Sequence, residues 1–107
     1  MNEEKLVKCL AQLGNITRLR IFRLLVKAGK EGLSVGKIQE KLVIPASTLS
    51  HHISKLLNLD LVKQERKGTV LNCFANYSML DEVISELQDQ CCVNSPAILE
   101  KNIAMNK

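Results

Sequence analysis

A chain of 107 residues accommodates a single domain, and its composition of 46% hydrophobic and 24% charged residues is typical of a globular protein. Its three aromatic residues are too few for a platform on which single-stranded nucleic acid could stack, and no apolar run reaches the roughly 18 residues of a membrane span. The start of the chain lacks the basic segment and apolar run of a secretion signal, so we expect a cytoplasmic protein without a membrane partner.

Three helices are predicted in the first half of the chain, where apolar residues recur three and four positions apart. They cover residues 3–13, 16–28 and 35–42. Gly14 is expected to end the first helix. Asn15 and Ser34 are residue types that cap the start of a helix, here the second and the third.

The fourth predicted helix, over residues 46–58, has two different faces. Pro45 stands just before it, where proline favours the start of a helix. The apolar face carries Leu49, Ile53, Leu56 and Leu57. The opposite face carries short hydrogen-bonding side chains and almost no charge, at Ser47, Ser50, His51 and Ser54. Such a helix buries one side and offers the other to a partner.

A β-hairpin and a last helix are predicted in the second half of the chain. Residues 61–66 and 69–75 are rich in strand-forming side chains, and Lys67-Gly68 between them is a turn signal. Ser78, with Asp81 three residues later, is predicted to cap a helix over residues 79–91. The apolar stripe of that helix consists of Leu80, Val83, Ile84, Leu87 and Cys91.

This order of elements predicts a mainly α protein with a β-hairpin wing, a winged helix-turn-helix of order α-α-α-α-β-β-α. In a helix-turn-helix, the second helix of the motif enters the major groove of DNA and its first residues meet the base edges. Residues 34–58 contain the short turn and the two-faced helix that this geometry requires. We expect residues 1–92 to form the DNA-binding domain and residues 93–107 to form a C-terminal tail.

The predicted DNA contacts fall into two groups. The first group lies in the opening turn and a half of the fourth helix, where side chains reach base edges best. It consists of Ser47, Thr48, Ser50 and His51. The second group flanks the tip of the hairpin and is suited to phosphate or minor-groove contacts. It consists of Lys63, Arg66 and Lys67.

The distribution of charge agrees with a polyanionic partner. Residues 14–30 hold five basic residues and no acid, and residues 34–69 hold six basic residues against three acids. A solvated basic surface, or a winged helix used only for protein assembly, would account less well for the hydrogen-bonding face of the fourth helix. An enzyme is the weakest alternative, because no motif signals a pocket or an oxyanion stabiliser.

Three segments resemble the ArsR/SmtB family of metal-responsive repressors. They are residues 13–21, LGNITRLRI, residues 47–53, STLSHHI, and residues 59–62, LDLV, and the resemblance covers about residues 5–92. It implies a homodimer paired through the first and last helices, which binds an inverted-repeat operator in double-stranded DNA and releases it when a ligand binds. The DNA-contacting positions of the family fall on Ser47, Ser50 and His51.

Two ligand sites of the family lack their residues in this chain. A Cys-x-Cys pair at the third helix is replaced by residues 37–41, KIQEK, and an Asp–His site across the last helices finds no histidine within residues 78–92. His51 and His52 project about 100° apart on a helix, so they do not easily bind one ion together. We predict a DNA contact for His51 and a packed, hydrogen-bonded position for His52.

The four cysteines are the remaining candidates for a ligand site, and in the cytoplasm we expect them to be reduced. The adjacent Cys91 and Cys92 resemble the C-terminal arsenite sites of some family members, and paired thiols suit a soft ion. A third ligand is expected from Cys9, on the dimer-facing first helix, or as a weaker choice from Cys73. Cys73 is otherwise expected in the core.

The predicted metal ligands are therefore Cys91, Cys92 and Cys9, and no permanently bound cofactor is expected. The predicted effector is trivalent arsenic, as arsenite or methylarsenite, with Sb(III), Cd(II) and Pb(II) as alternatives. Methylarsenite has two exchangeable positions, so two thiols are sufficient for it. The sequence leaves one other mechanism open, which is oxidation or persulfide formation at the same thiols in a repressor of the same fold.

Overall fold

The computed structural model describes residues 1–95 and confirms the winged helix-turn-helix. Five α-helices form in this part of the chain: α1 (Glu3–Leu13), α2 (Ile16–Ala28), α3 (Val35–Leu42), α4 (Ala46–Asn58) and α5 (Tyr77–Gln88). The strands are β1 (Leu33–Ser34), β2 (Val62–Lys67) and β3 (Val70–Ala75). None of the helices in the described part of the chain combines the length and apolar character needed to cross a membrane. Of the predicted tail, residues 93–107, only the first three residues are described.

The bounds of the first four helices are those that the sequence predicts, because their ends are set by local hydrogen bonds. The Asn15 side chain accepts a hydrogen bond from the Arg18 amide at 3.1 Å, which caps the start of α2. The Ser34 hydroxyl accepts from the Lys37 amide at 3.1 Å and caps α3 in the same way. Both contacts satisfy amide groups that would otherwise lack a partner in the first turn.

The sheet contains one more strand than the sequence predicts. The hairpin strands β2 and β3 pair in antiparallel register from Val62 opposite Ala75 to Lys67 opposite Val70, one residue later at each end of β2 than expected. The short strand β1 pairs with the other edge of β3, with Leu33 opposite Cys73. Two residues are too short a stretch to show the alternation by which a strand is recognised in a sequence.

The core is organised around α2, which packs against α1, α3, α4 and β3. The apolar face predicted for α4 contributes three of its buried side chains, Leu49, Ile53 and Leu56. The other buried apolar side chains are Cys9, Ile21, Phe22, Leu25, Ile38, Leu61, Val62, Cys73, Ala75 and Val83. This packing leaves the polar face of α4 at the surface.

The last helix begins and ends earlier than the predicted span of 79–91. It starts at Tyr77, after Asn76, so the predicted cap at Ser78 is wrong. The Tyr77 hydroxyl donates to the carbonyl of Val26 at 2.8 Å, which anchors the first turn of α5 on α2. The helix stops before Asp89, whose backbone is extended (φ −54°, ψ 130°). Cys91 therefore lies in a turn beyond α5, where it does not continue the helical stripe.

Candidate nucleic-acid interface and thiol pair

The predicted base-reading side chains share one exposed surface. Ser47, Thr48, Ser50 and His51 are all exposed on α4, opposite the buried face of that helix. The turn from α3 to α4 is only three residues long. Val43, in this turn, has a left-handed backbone (φ 51°) and is 87% exposed, and its amide donates to the Gln39 carbonyl at 2.8 Å. A short turn holds the start of α4 at the surface, as entry into a DNA groove requires.

The wing continues this surface. Lys63, Arg66 and Lys67 are exposed on β2. A cleft of about 690 Å³ separates the wing from α4, and Arg66 of the wing and Ser50 of the helix both line it. Lys67 lies 4.0 Å from Glu65, an exposed ion pair of little energetic weight. The structure thus brings Arg66 next to the α4 groups, whereas Lys63 and Lys67, which alternate with it along β2, lie on the other face of the strand.

His52 lies next to His51 on α4 and forms a hydrogen bond inside the domain. Its Nδ1 is 3.0 Å from Nη1 of Arg18, a residue of α2 that is almost completely buried. Arg18 Nε also donates to the Gln12 carbonyl at 2.6 Å. Burial, and then the nearby Arg18 charge, lower the pKa of His52, which favours the neutral ring that can accept from the guanidinium. This confirms the packed, hydrogen-bonded position predicted for His52.

Arg18 has a structural role that the sequence did not predict. The sequence places it among the surface charges of residues 14–30, yet its guanidinium joins the end of α1 to α4. A buried charge needs such hydrogen bonds, because an unpaired one is strongly destabilising. Its place in the segment that resembles the repressor family was the one available signal.

Cys91 and Cys92 lie together at the surface. Their Sγ atoms are 3.3 Å apart, within hydrogen-bonding distance for two thiols. Cys91 is exposed and Cys92 is half-buried. The hydrogen bond with Cys92, and then the charge of Cys92, raise the pKa of the Cys91 thiol. The pair can offer two sulfur ligands to one ion or form a bond between its own sulfur atoms.

The other two cysteines are inside the domain. Cys73 is buried in β3, as predicted, and accepts a hydrogen bond from Gln64 Nε2 at 3.4 Å. Cys9 is also fully buried, although it is carried by α1, the helix expected to face the partner chain. The reason is that α1 turns this position towards the domain's own core. Burial raises the pKa of both thiols, which disfavours the thiolate form that binds metals.

The structure does not join Cys9 to the exposed pair. Within residues 1–95, no three histidine, cysteine, aspartate or glutamate side chains are grouped so that they could hold a metal ion. The two-thiol arrangement is therefore the one that the geometry of a single chain offers. A third ligand from Cys9 stays a prediction.

A second surface is apolar and lies on α1 and α5, which contact each other. Four large apolar side chains on these helices remain exposed to solvent: Val7 (62%), Leu10 (39%), Ile84 (45%) and Leu87 (59%). Exposed apolar groups clustered on adjacent helices are typical of a surface that another chain covers.

The chain is similar to known helix-turn-helix proteins. Residues 13–65 match the helix-turn-helix domain family. An uncharacterized HTH-type transcriptional regulator of Methanocaldococcus jannaschii is 32% identical over 84 residues, which are 78% of this chain and 88% of the relative. This chain belongs to the helix-turn-helix transcriptional regulators. The matched residues 13–65 include α3 and α4, the two helices of the helix-turn-helix.

Solved structures place this regulator among winged-helix proteins. HlyU from Vibrio cholerae is 26% identical, with a TM-score of 0.67 over 86% of this chain and 99% of HlyU. The homodimeric winged helix-turn-helix DNA-binding domain Mb0332 from Mycobacterium bovis, a possible ArsR-family regulator, is 21% identical. Its TM-score is 0.64 and the match covers 81% of each chain, a likeness that concerns the fold.

Proposed function

We propose that the protein is a dimeric repressor that binds an inverted-repeat operator and releases it when a trivalent arsenical binds Cys91 and Cys92. The observation that carries this proposal is the exposed pair of thiols, 3.3 Å apart, immediately after α5. The other parts of the proposal are the DNA surface of α4 and the wing, and the dimer surface of α1 and α5.

The DNA contacts follow from the kinds of side chain on the two elements. Hydroxyl and imidazole groups at Ser47, Thr48, Ser50 and His51 can donate to or accept from base edges in the major groove. The cationic groups of the wing, Lys63, Arg66 and Lys67, are suited to phosphates, which position a protein without reading sequence.

The effector chemistry favours an ion that needs two sulfur ligands. In methylarsenite each thiol proton leaves with one arsenic-bound hydroxyl as water, and an As–S bond forms at each sulfur, so arsenic stays trivalent. The Sγ atoms of Cys91 and Cys92 supply both sulfur ligands, and no third residue is needed. Arsenite, Sb(III), Cd(II) and Pb(II) are the alternatives, and they share the preference for soft sulfur ligands.

The position of the pair gives a physical link to DNA binding. Cys91 follows Gln88, the last residue of α5, by three residues, and α5 carries half of the apolar surface proposed for the dimer. A ligand that bonds to both thiols fixes the turn after α5, and it thereby alters the end of that helix and the spacing of the two recognition helices. A coupling free energy of about 1–3 kcal/mol is sufficient to change operator occupancy several-fold.

A second mechanism is favoured by the same 3.3 Å contact. In it, a peroxide accepts two electrons and two protons from Cys91 and Cys92, becomes two water molecules, and leaves a bond between the two sulfur atoms. Transfer of the outer sulfur of a low-molecular-weight persulfide, which leaves as a thiol, to one of these cysteines is a related case. Both variants keep the DNA surface and the dimer, and they differ from the arsenical mechanism only in the effector.

The thiol site is tested by following the anisotropy of a labelled operator. We expect Cys91→Ser and Cys92→Ser each to bind the operator as the wild type does but to lose release by methylarsenite, because one thiolate does not chelate. Cys73→Ala, which removes a buried thiol, is the matched control and should still respond. Treatment with peroxide in place of the arsenical distinguishes the redox mechanism from the arsenical mechanism, because in the redox mechanism peroxide alone releases the operator.

The outcome for Cys9 distinguishes two kinds of arsenical site. If Cys9→Ala abolishes the response to arsenite and keeps the response to methylarsenite, the site has three thiols. If it changes neither response, the site has two. Release of the Cys91→Ser, Cys92→Ser double variant by either arsenical would show that the sensor is elsewhere and that the proposal is wrong.

The DNA surface has its own prediction. Ser50→Ala and His51→Ala are expected to weaken operator binding by about 1–3 kcal/mol each while leaving binding to random DNA unchanged, since base contacts carry the discrimination. Lys63→Ala and Arg66→Ala should weaken binding to both DNAs and reduce the salt slope by about two each, one for each subunit of the dimer. Titrations at several salt concentrations measure both effects. Equal losses on operator and random DNA for the α4 variants would show that another surface reads the bases.

A further inference from the structure

The outer face of α2 carries a basic cleft separate from α4 and the wing. Arg20, Arg23 and Lys27 are exposed and recur three and four positions apart, so they lie on one face of the helix. Together with Leu24 and Leu42 they line a cleft of about 240 Å³. Its rim is cationic and its apolar part is limited to two leucines.

These three cations have no carboxylate partner within residues 1–95. The ion pairs in that part of the chain involve the amino terminus, Lys5, Lys37 and Lys67. Like charges three or four residues apart on a helix destabilise it by a few tenths of a kcal/mol per pair. An unneutralised row of this kind is stabilised once an anionic partner binds it.

The cleft adjoins the helix-turn-helix. Leu42, which lines it, is the last residue of α3 and precedes Ala46, the first residue of α4, by four positions. Four residues of chain span at most about 14 Å, so the cleft lies close to the end of α4 that enters the groove. A duplex carries about one phosphate charge per 1.7 Å of its axis, so phosphates beside the α4 contact are available to it.

We infer that the Arg20–Arg23–Lys27 cleft binds the DNA backbone outside the base pairs that α4 reads. This inference rests on the proposed operator binding by α4. Guanidinium groups match phosphate oxygens in a two-pronged geometry, which suits Arg20 and Arg23 to this role. An acidic protein is the other polyanion to consider, but two leucines offer it little apolar surface to bury.

The test compares two operator duplexes, one limited to the base pairs that α4 and the wing cover and one extended by about one helical turn at each end. For Arg20→Gln/Arg23→Gln we expect about tenfold weaker binding to the long duplex and a salt slope smaller by about four, because each of the two subunits loses two phosphate contacts, with binding to the short duplex unchanged. Lys8→Gln on α1 removes an exposed cation that forms no ion pair within residues 1–95, and it should change neither. The Arg20→Lys/Arg23→Lys variant keeps both positive charges and should retain most of the wild-type salt slope.

Each other result overturns the inference. Equal losses on both duplexes, or equal losses for the α1 control variant, would mean that general charge and not this cleft is responsible. If the Arg20→Gln/Arg23→Gln variant binds the long duplex as tightly as the wild type does, the cleft does not contact DNA, and an acidic protein is left as its partner. If the wild-type protein does not distinguish operator from random DNA, the proposed function itself fails, which the wild-type titration reports separately from the variants.

Discussion

Replacement of Gly32 by alanine is expected to lower the free energy of unfolding by about 3 kcal/mol. Gly32 has φ +67° and ψ −163°, a backbone conformation that is essentially restricted to glycine. An added Cβ would also collide with the Cys73 carbonyl oxygen and lie 2.8 Å from Cδ1 of Phe74. Since β3 is held between β1 and β2, it cannot move away without loss of strand pairing. A loss of this size is a large fraction of the stability of a small domain.

Gly29→Ala is the matched control for this prediction. Gly29 has a similar backbone (φ 73°, ψ −155°), but an added Cβ would meet no heavy atom within 4 Å. The control therefore includes the backbone strain and omits the collision. Urea denaturation of both variants measures the difference, which we expect to be about 1–3 kcal/mol. Equal losses for the two glycines would show that the approach of Gly32 to β3 is not a tight contact.

Charges placed on the apolar surface of α5 are expected to separate the proposed dimer. Ile84→Glu/Leu87→Glu should be monomeric and should bind the operator at least about 100-fold more weakly, because two linked half-site contacts become independent. The folded monomer should be preserved, since both side chains are already about half exposed. Sedimentation gives the oligomeric state, and circular dichroism reports the fold.

Ser85→Glu is the control, because it adds a negative charge on α5 at an exposed position between the other two. We expect it to remain dimeric and to bind the operator normally. If the Ile84→Glu/Leu87→Glu variant stays dimeric, another surface joins the two chains. If it is monomeric and still binds the operator at full affinity, the repressor does not need two linked half-sites.

The sequence alone determined the features that depend on neighbouring residues. The starts of α2 and α3 follow from Asn15 and Ser34, which each cap the amide three residues later. The two faces of α4 follow from the helical repeat. The hairpin follows from the turn signal at Lys67-Gly68, although Lys67 ends β2 and the turn itself is Gly68-Thr69, one residue later than predicted. The exposed hydroxyl and imidazole groups of α4 could be predicted for the same reason, because the buried side of the helix is fixed by its leucines and isoleucine.

Only the tertiary structure decided the contacts between residues that are distant in the chain. Strand β1 exists because β3 offers it an edge, and α5 begins at Tyr77, whose hydroxyl bonds to the Val26 carbonyl. The burial of Cys9 and the bond from Arg18 to His52 likewise depend on how α1, α2 and α4 pack. Periodicity shows which side of a helix is apolar, whereas the partner of each side chain is chosen by packing between elements, where burial and hydrogen bonding are satisfied together.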